Sequence, residues 1–215
     1  MIKTPSTIAI LGAGRVATSL ASGFAKSGHQ IIIGVRDAGH PASWSGPEVR
    51  FATHPDAIAA ADVVFNATPG DSSVDRLGAM ADALAGKLLV DVANATGRDE
   101  RGAPSGMLYF NDSLAERLQS ALPLTRVVKT LNTMLAPVMS NPAMVLGSPA
   151  VYLSGNDADA KATVRALLIE MGWVDTQILD LGSIETARGP EAVILLATDV
   201  MKVTGFKPFA ISPVS

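Results

Sequence analysis

The sequence predicts an α/β fold: a doubly wound, mostly parallel sheet with a small C-terminal extension. Three observations predict it. Short β-branched runs alternate with longer Ala-rich amphipathic stretches, the rhythm of repeated βαβ units. A loop of small residues, Gly12-Ala13-Gly14-Arg15-Val16-Ala17, stands at the first strand–helix junction, the context that makes such a loop of the Rossmann type. Apolar residues make up 48% of the chain and charged ones only 17%, the balance required by strands buried on both faces.

Residues 7–11 read as the first strand and 15–26 as a helix that Ser27-Gly28 stops. The second strand is 30–35. A loop at 37–46, with Gly39, Pro41 and Gly46, leads to a short strand at 49–52 and a short helix at 55–61. Residues 62–68 form a fourth strand ended by Pro69-Gly70, 72–85 a helix and 87–92 a fifth strand. Residues 96–107, rich in Gly, Pro and charge, read as loop. Ser113-Leu114-Ala115-Glu116 has capping-box spacing and opens a helix to about Leu122; 126–131 is the sixth strand. Beyond it come a strand at 150–154, a helix at 157–171, an extended stretch at 173–179 and a long helix at 183–203. The apolar tail, 206–211, is expected to pack down as an edge strand. The 215 residues suit one dinucleotide-binding domain, 1–215, with 146–215 as a candidate C-terminal subdomain.

Composition removes several function classes. A net charge of −3 argues against a nucleic-acid surface. The absence of Cys removes disulfides, thiolate nucleophiles and Cys-ligated metals, and no metal-ligand cluster is visible. No apolar run approaches the ~18 residues of a membrane span, and the run at 8–11 is too short for a signal peptide. The expected setting is soluble and cytoplasmic, with neither membrane nor nucleic acid as partner.

The glycine loop carries the chemistry. Gly12 permits the tight turn, Gly14 lets the backbone approach a pyrophosphate, and Ala17 lets helix and strand pack closely. The helix N-terminus then offers free N–H groups and a positive dipole end to phosphates. Arg15 reads either as a further pyrophosphate contact or as a solvated helix residue. The end of the second strand selects the cofactor. Gly34 and Val35 hold the positions where an NAD enzyme places a carboxylate ~20 residues after the glycines. Arg36 then presents a permanent cation suited to a 2′-phosphate or to stacking on adenine, so the reading is NADP. NAD is the alternative, through Asp37, and His40 reads as a loop residue that could also meet a phosphate.

Two further strand ends should line the crevice, because ligands bind outside the carboxyl ends of parallel strands. These are Asn66-Ala67-Thr68-Pro69 and Ala93-Asn94, whose small residues leave room and whose amides and hydroxyl offer neutral hydrogen bonds; turn chemistry is the other reading. His29, His40 and His54 lie in the first third, away from the expected crevice. Lys129 is either a site residue or a strand-end Lys snorkelling to water. Met134, Met139 and Met144 read as packing. No nucleophile–base set is visible, so no catalytic side chain is assigned; hydride transfer by orientation needs none.

At these residues the sequence resembles the deazaflavin (coenzyme F-420) dependent NADP reductases, and the same module resembles the cytosolic domain of six-transmembrane ferric reductases. The likeness is carried by residues 8–17, Gly34-Val35-Arg36-Asp37, 63–70, 88–94 and Val127-Val128-Lys129-Thr130-Leu131-Asn132-Thr133. Further carriers are Ser154-Gly155-Asn156-Asp157, Gly172-Trp173, Asp180-Leu181-Gly182, and Arg188 with Glu191. The resemblance implies a nicotinamide or acceptor pocket at Asn132, Thr133, Met134 and Ala136. It implies hydride transfer between NADP(H) and a deazaflavin, flavin or similar small redox acceptor, and a homodimer to which the last helix contributes. Val35 stands where the family often has Ser. The alternative function is a non-catalytic NADP-binding sensor or partner-docking module.

Overall fold

Ile8, Ala9, Ile10 and Leu11 have no solvent exposure on either face, which is possible only for a strand in the middle of a sheet covered by helices on both sides. The computed structural model describes residues 6–37, 41, 44–100, 102 and 104–213 and builds the sheet around this strand; His40 lies outside the described residues. In chain order the first elements are β1 (Thr7–Leu11), α1 (Arg15–Lys26), β2 (Gln30–Val35), β3 (Arg50–Thr53), α2 (His54–Ala60) and β4 (Val63–Asn66). Next come α3 (Ser73–Gly78), α4 (Ala81–Leu84), β5 (Leu88–Asp91), β6 (Thr96–Arg98), β7 (Pro104–Met107), α5 (Leu114–Ala121) and β8 (Arg126–Lys129). The chain ends with α6 (Ala136–Met139), β9 (Val151–Gly155), α7 (Ala158–Glu170), β10 (Ile178–Gly182) and α8 (Arg188–Thr204).

The main sheet has eight strands in the order β10-β9-β8-β5-β4-β1-β2-β3. From β3 to β8 every pair is parallel, which is the Rossmann arrangement with its reversal of direction between β1 and β4. β9 joins β8 antiparallel, pairing Val128 with Gly155 and Lys129 with Ser154. Residues beyond 146 therefore extend the same sheet. One apolar layer joins Leu20 and Phe24 of α1, Val138 of α6 and Leu167 of α7 to Ile8, Ile10 and Val128. The opposite layer joins Ala57 and Ile58 of α2, Leu77, Leu84 and Leu118 to Ala9, Leu11 and Val64.

β1, α1 and β2 have the bounds expected from sequence. Other stretches differ, each for a physical reason. The expected helix at 72–85 is a 3-10 turn followed by two short helices, because the chain tightens after Gly78: Met80 N donates to Leu77 O (2.9 Å), one residue short of α spacing. The stretch 96–107, read as loop, is the β6–β7 hairpin, a second small sheet stabilised by pairing across the turn and too short and Gly-rich to show strand periodicity. The stretch 173–179 turns through a 3-10 helix at Asp175–Gln177 before β10 begins. The expected helix at 183–203 opens as a 3-10 turn, Ile184–Ala187, and becomes α-helical only at Arg188. The tail forms no edge strand; a single bridge ties Ala210 to Met134, while Tyr152 Oη and the Ala150 amide hold Ile211 and Ser212.

Candidate functional site

The carboxyl ends of β1, β2, β4, β5 and β8 converge where the strand order reverses. At the first of these ends Gly12 sits at φ +106°, and a Cβ there would stand 2.7 Å from the Ala67 carbonyl oxygen. Only glycine fits both the backbone angle and that approach. The turn is fixed by Gly12 N donating to Gly34 O (2.8 Å) and Ala67 N donating to Leu11 O (3.0 Å). Gly14 is the reverse case. A Cβ on Gly14 would meet nothing within 4 Å, so the residue keeps open a space beside the N-terminus of α1. Ala17 is fully buried, as close helix–strand packing needs, while Ala13 and Val16 are half-buried beside it.

Charge at this turn points the same way. No side chain caps α1, and its first turn holds no acidic residue. Instead the helix opens with exposed Arg15, a cation placed at the positive end of the dipole. Such an end is complemented by an anion. The Arg15 guanidinium also lies 5.7 Å over the Phe206 ring, so the C-terminal tail passes beside the glycine loop. Arg36 is exposed just past β2 and has no carboxylate partner among the described residues.

The second half of the crevice is built differently. Asp91, at the end of β5, and Lys129, at the end of β8, are both buried and joined at 2.8 Å; Glu191 of α8 meets the same ammonium at 2.8 Å. Burial pushes the Lys129 ammonium toward neutrality, but the two carboxylates outweigh it and hold the group above its ordinary range. The second negative charge is met by donors. Glu191 accepts from the backbone amides of Leu114 (2.8 Å) and Ala115 (3.1 Å) at the head of α5, and Asp91 accepts from Asn66 Nδ2 (2.8 Å). Lys129 thus neither snorkels to water nor faces the crevice. Ladder pairing keeps its strand deep in the sheet, and the ammonium is spent on Asp91, Glu191 and the Ala93 carbonyl.

Asn66 belongs to this framework. It has no exposure, donates to Ser73 Oγ (3.0 Å) and Asp91, and accepts from Thr68 Oγ1 (2.6 Å), so its side chain fastens the strand end and does not line the opening. Thr68 in turn accepts from Arg76 Nη1 (2.9 Å). Ala67 and Ala93 are half-buried and Pro69 is exposed, which leaves them at the crevice lip. Asn94 and Asn132 bind each other twice: Asn94 Nδ2 to Asn132 O (3.0 Å) and Asn132 Nδ2 to Asn94 Oδ1 (2.9 Å). This pair ties the loop after β5 to the loop after β8.

Leu131 has φ +61°, the one positive-φ non-glycine residue among those described. Left-handed backbone at a branched apolar side chain is costly and is held only where neighbours over-determine it. Around it Thr130 Oγ1, Asn132 Oδ1 and Thr133 Oγ1 are buried and have no hydrogen-bond partner. Three unmatched polar atoms within four residues, beside a strained turn, suit a planar amide that both donates and accepts. Met134, next along, is 7% exposed and packs into the core layer beneath this turn; the Ala136 carbonyl accepts from Ser19 Oγ, docking α6 on α1.

The histidines sit in different surroundings. His29 is an interior residue paired with Glu170. His54, however, leans back from the β3–α2 junction onto β2, where its Cδ2 would lie 3.2 Å from a Cβ on Gly34. It packs over the carboxyl end of β2, beside Leu11 and Ala57. Arg76 was not singled out. Nothing around it in sequence marks it, since its partners Thr68 and Ser72 precede it within the same connection.

The strand order and the glycine turn define the class: a Rossmann-type α/β protein. Residues 7–95 match the family described as NADP oxidoreductase, coenzyme F420-dependent. The chain is 38% identical to a protein of Arthrobacter sp. FB24 proposed to be an F420-dependent NADP reductase, with a TM-score of 0.89 over 98% of this chain and 100% of that one. It is 30% identical to the hypothetical protein SMa0349 of Sinorhizobium meliloti, with a TM-score of 0.65 over 83% and 86% of the two chains. It is 32% identical over 202 residues to metalloreductase STEAP3 of Rattus norvegicus; that match takes in 94% of this chain but spans only 39% of the relative's length. The chain belongs to the family of coenzyme F420-dependent NADP oxidoreductases, and so to the NADP-dependent reductases. No described helix is long and apolar enough to cross a membrane.

Proposed function

We propose that this chain binds NADP(H) across the carboxyl ends of β1, β2, β4, β5 and β8 and passes a hydride between the nicotinamide and a deazaflavin, flavin or similar flat redox acceptor. The observation that carries the reading is the pairing of two unlike sites at opposite ends of one crevice. One is an open glycine turn with an uncompensated positive helix end. The other is a strained turn with unmatched buried polar atoms. Their chemistries suit the two ends of a dinucleotide.

The residues fit the group part by part. The amides of residues 15–17 and the space beside Gly14 would hold the pyrophosphate. Arg36 would hold the 2′-phosphate. Asn132 Oδ1 and the Thr130 and Thr133 hydroxyls would take the carboxamide. When bound, the nicotinamide supplies or receives the hydride. The chain's own contribution is to fix one ring face, and the buried Asp91–Lys129–Glu191 set holds the supporting loops still. Among the described residues no cluster could hold a metal ion, and the proposed route assigns no role to one.

The test is transfer of label. NADPH deuterated at the reactive carbon is mixed with a deazaflavin and, separately, with a flavin. Deuterium at the ring carbon of the reduced deazaflavin is the expected result, and with the flavin, whose N–H exchanges with water, a primary isotope effect on NADPH oxidation; oxidation of NADPH with neither would overturn the hydride step. We also propose a homodimer formed through α8, supported by exposed Leu195, Leu196 and Val203 on that helix; light scattering should give twice the chain mass.

A further inference from the structure

Two arginines and a histidine gather above the carboxyl ends of β1 and β2, on the side of the sheet covered by α2 and α3. Arg36 follows β2. His54 opens α2 and lies over Gly34: a Cβ on that glycine would stand 3.2 Å from the imidazole and 2.6 Å from the tip of Leu11. Arg76 reaches in from α3 and is aimed by two hydroxyls, Nη1 to Thr68 Oγ1 (2.9 Å) and Nη2 to Ser72 Oγ (2.6 Å). Those acceptors are neutral. Neither guanidinium has a carboxylate partner among the described residues, whereas Arg117, Arg165 and Arg188 each have one.

The groups lie close enough to act on one another. Burial pushes the His54 imidazole below its ordinary 6.5; the Arg76 and Arg36 charges push it the same way, and only a hydrogen bond with the Gly34 backbone opposes them. No carboxylate enters that balance, although Asp56 is two residues away; its oxygen is taken by Thr53 Oγ1 (2.6 Å). Both guanidinium charges therefore act on one half-buried imidazole with no counter-charge in that balance. An anion placed between the two guanidinium groups supplies the missing counter-charge and accepts charge-assisted hydrogen bonds from both.

We propose that Arg76 is a second cation for the 2′-phosphate of NADP(H), facing Arg36 across the adenosine end of the crevice, with His54 as the neutral floor between them. This rests on the dinucleotide reading given above and adds a specificity-determining residue to it. Arg36 stands free at a strand end and tolerates movement. Arg76 is pinned by Thr68, which is itself fastened to Asn66 and the buried ion set. The fixed arginine therefore sets where the phosphate sits, and the free one closes on it.

The experiment is calorimetric titration of the full chain with 2′,5′-ADP and with 5′-AMP, which differ at the 2′-phosphate. Arg76→Met should weaken 2′,5′-ADP binding about 10- to 100-fold, as loss of a charge-assisted pair implies, while 5′-AMP binding stays within about threefold. Arg76→Lys should fall between wild type and Arg76→Met for 2′,5′-ADP. Unfolding temperatures without ligand show whether each variant is folded, and Arg76→Gln, which can still reach a hydroxyl, replaces Met if that variant is not. Equal loss of both probes would overturn the inference, since Arg76 would then serve adenine or the loop. No loss of either would also overturn it. If Arg36→Met loses 2′,5′-ADP selectively and Arg76→Met does not, this inference fails and the proposed function stands. If wild type binds neither probe, the proposed function falls and takes this inference with it.

Discussion

The two ends of the crevice are made by opposite means. The β1–α1–β2 end is local: one turn of backbone, two glycines and a helix start, all within the first 36 residues. Its polar groups point outward and are left for a ligand. The β5–β8 end is assembled from afar. Asp91 meets Lys129 across 38 residues, and Glu191 reaches it from the last helix while holding the head of α5. Its charged groups point inward and satisfy one another; among the described residues, Thr130, Asn132 and Thr133 keep buried side-chain atoms without partners. The first end can lose binding and remain folded. The buried ion set of the second cannot be altered without disturbing the sheet.

That contrast can be broken most sharply at Lys129. Lys129→Met leaves Asp91 and Glu191 buried without their cation and should destabilise the fold by about 3–5 kcal/mol. Thermal unfolding should then fall by roughly 6–20 °C. The triple variant Asp91→Asn, Lys129→Met, Glu191→Gln should recover part of that loss, because it is the unpaired charges that destabilise. No fall in Lys129→Met would mean that the ion set is not what holds this end.

Gly12→Ala should have the next largest effect. A Cβ at φ +106° that also meets the Ala67 carbonyl should cost about 1–3 kcal/mol and abolish detectable NADPH binding. Gly14→Ala sharpens the point: its Cβ meets nothing, so stability should hold while nucleotide affinity drops. Fluorescence titration beside unliganded unfolding separates the two.

Thr133→Val addresses the far end. Removing an unmatched hydroxyl should change stability by less than about 1 kcal/mol, yet weaken NADPH relative to 2′,5′-ADP about tenfold. Equal weakening of both would move the nicotinamide elsewhere.

The smallest effect is one of pH. His54 resists protonation when folded, so the unfolded chain binds the extra proton first. Stability from this group is therefore full above 6.5 and declines as pH falls below that value toward the folded pKa. His54→Gln should flatten that part of the stability curve. Comparing unfolding temperatures at pH 7 and just below 6.5 for the two proteins tests it.

What the sequence made legible follows the same division. Gly12, Gly14, Ala17 and Arg36 declare themselves because turn, helix start and strand end are neighbours in the chain. The bounds of β1, α1 and β2 follow from periodicity and from Gly28 as a stop. Lys129 was ambiguous because the residues that bury it lie 38 and 62 positions away, on β5 and α8. His54 looked remote because it follows β3, and only parallel pairing of β3 with β2 brings it over Gly34. Asn66 was readable as polar and near the crevice, but its inward rotation depends on Ser73 and Asp91. The hairpin at 96–107 depends on pairing across a turn, which no single stretch displays.

One consequence follows from the reversal of β9. Segments leaving the parallel strands form most of the crevice lip, and each is restrained by the ladder behind it. At β9 the chain arrives instead, because its pairing with β8 is antiparallel. The approach, residues 145–150, carries Leu146 wholly in solvent and belongs to no ladder until Val151. This stretch can therefore change its course without breaking a ladder bond, whereas the turn at Gly12 cannot move without breaking the bond to Gly34.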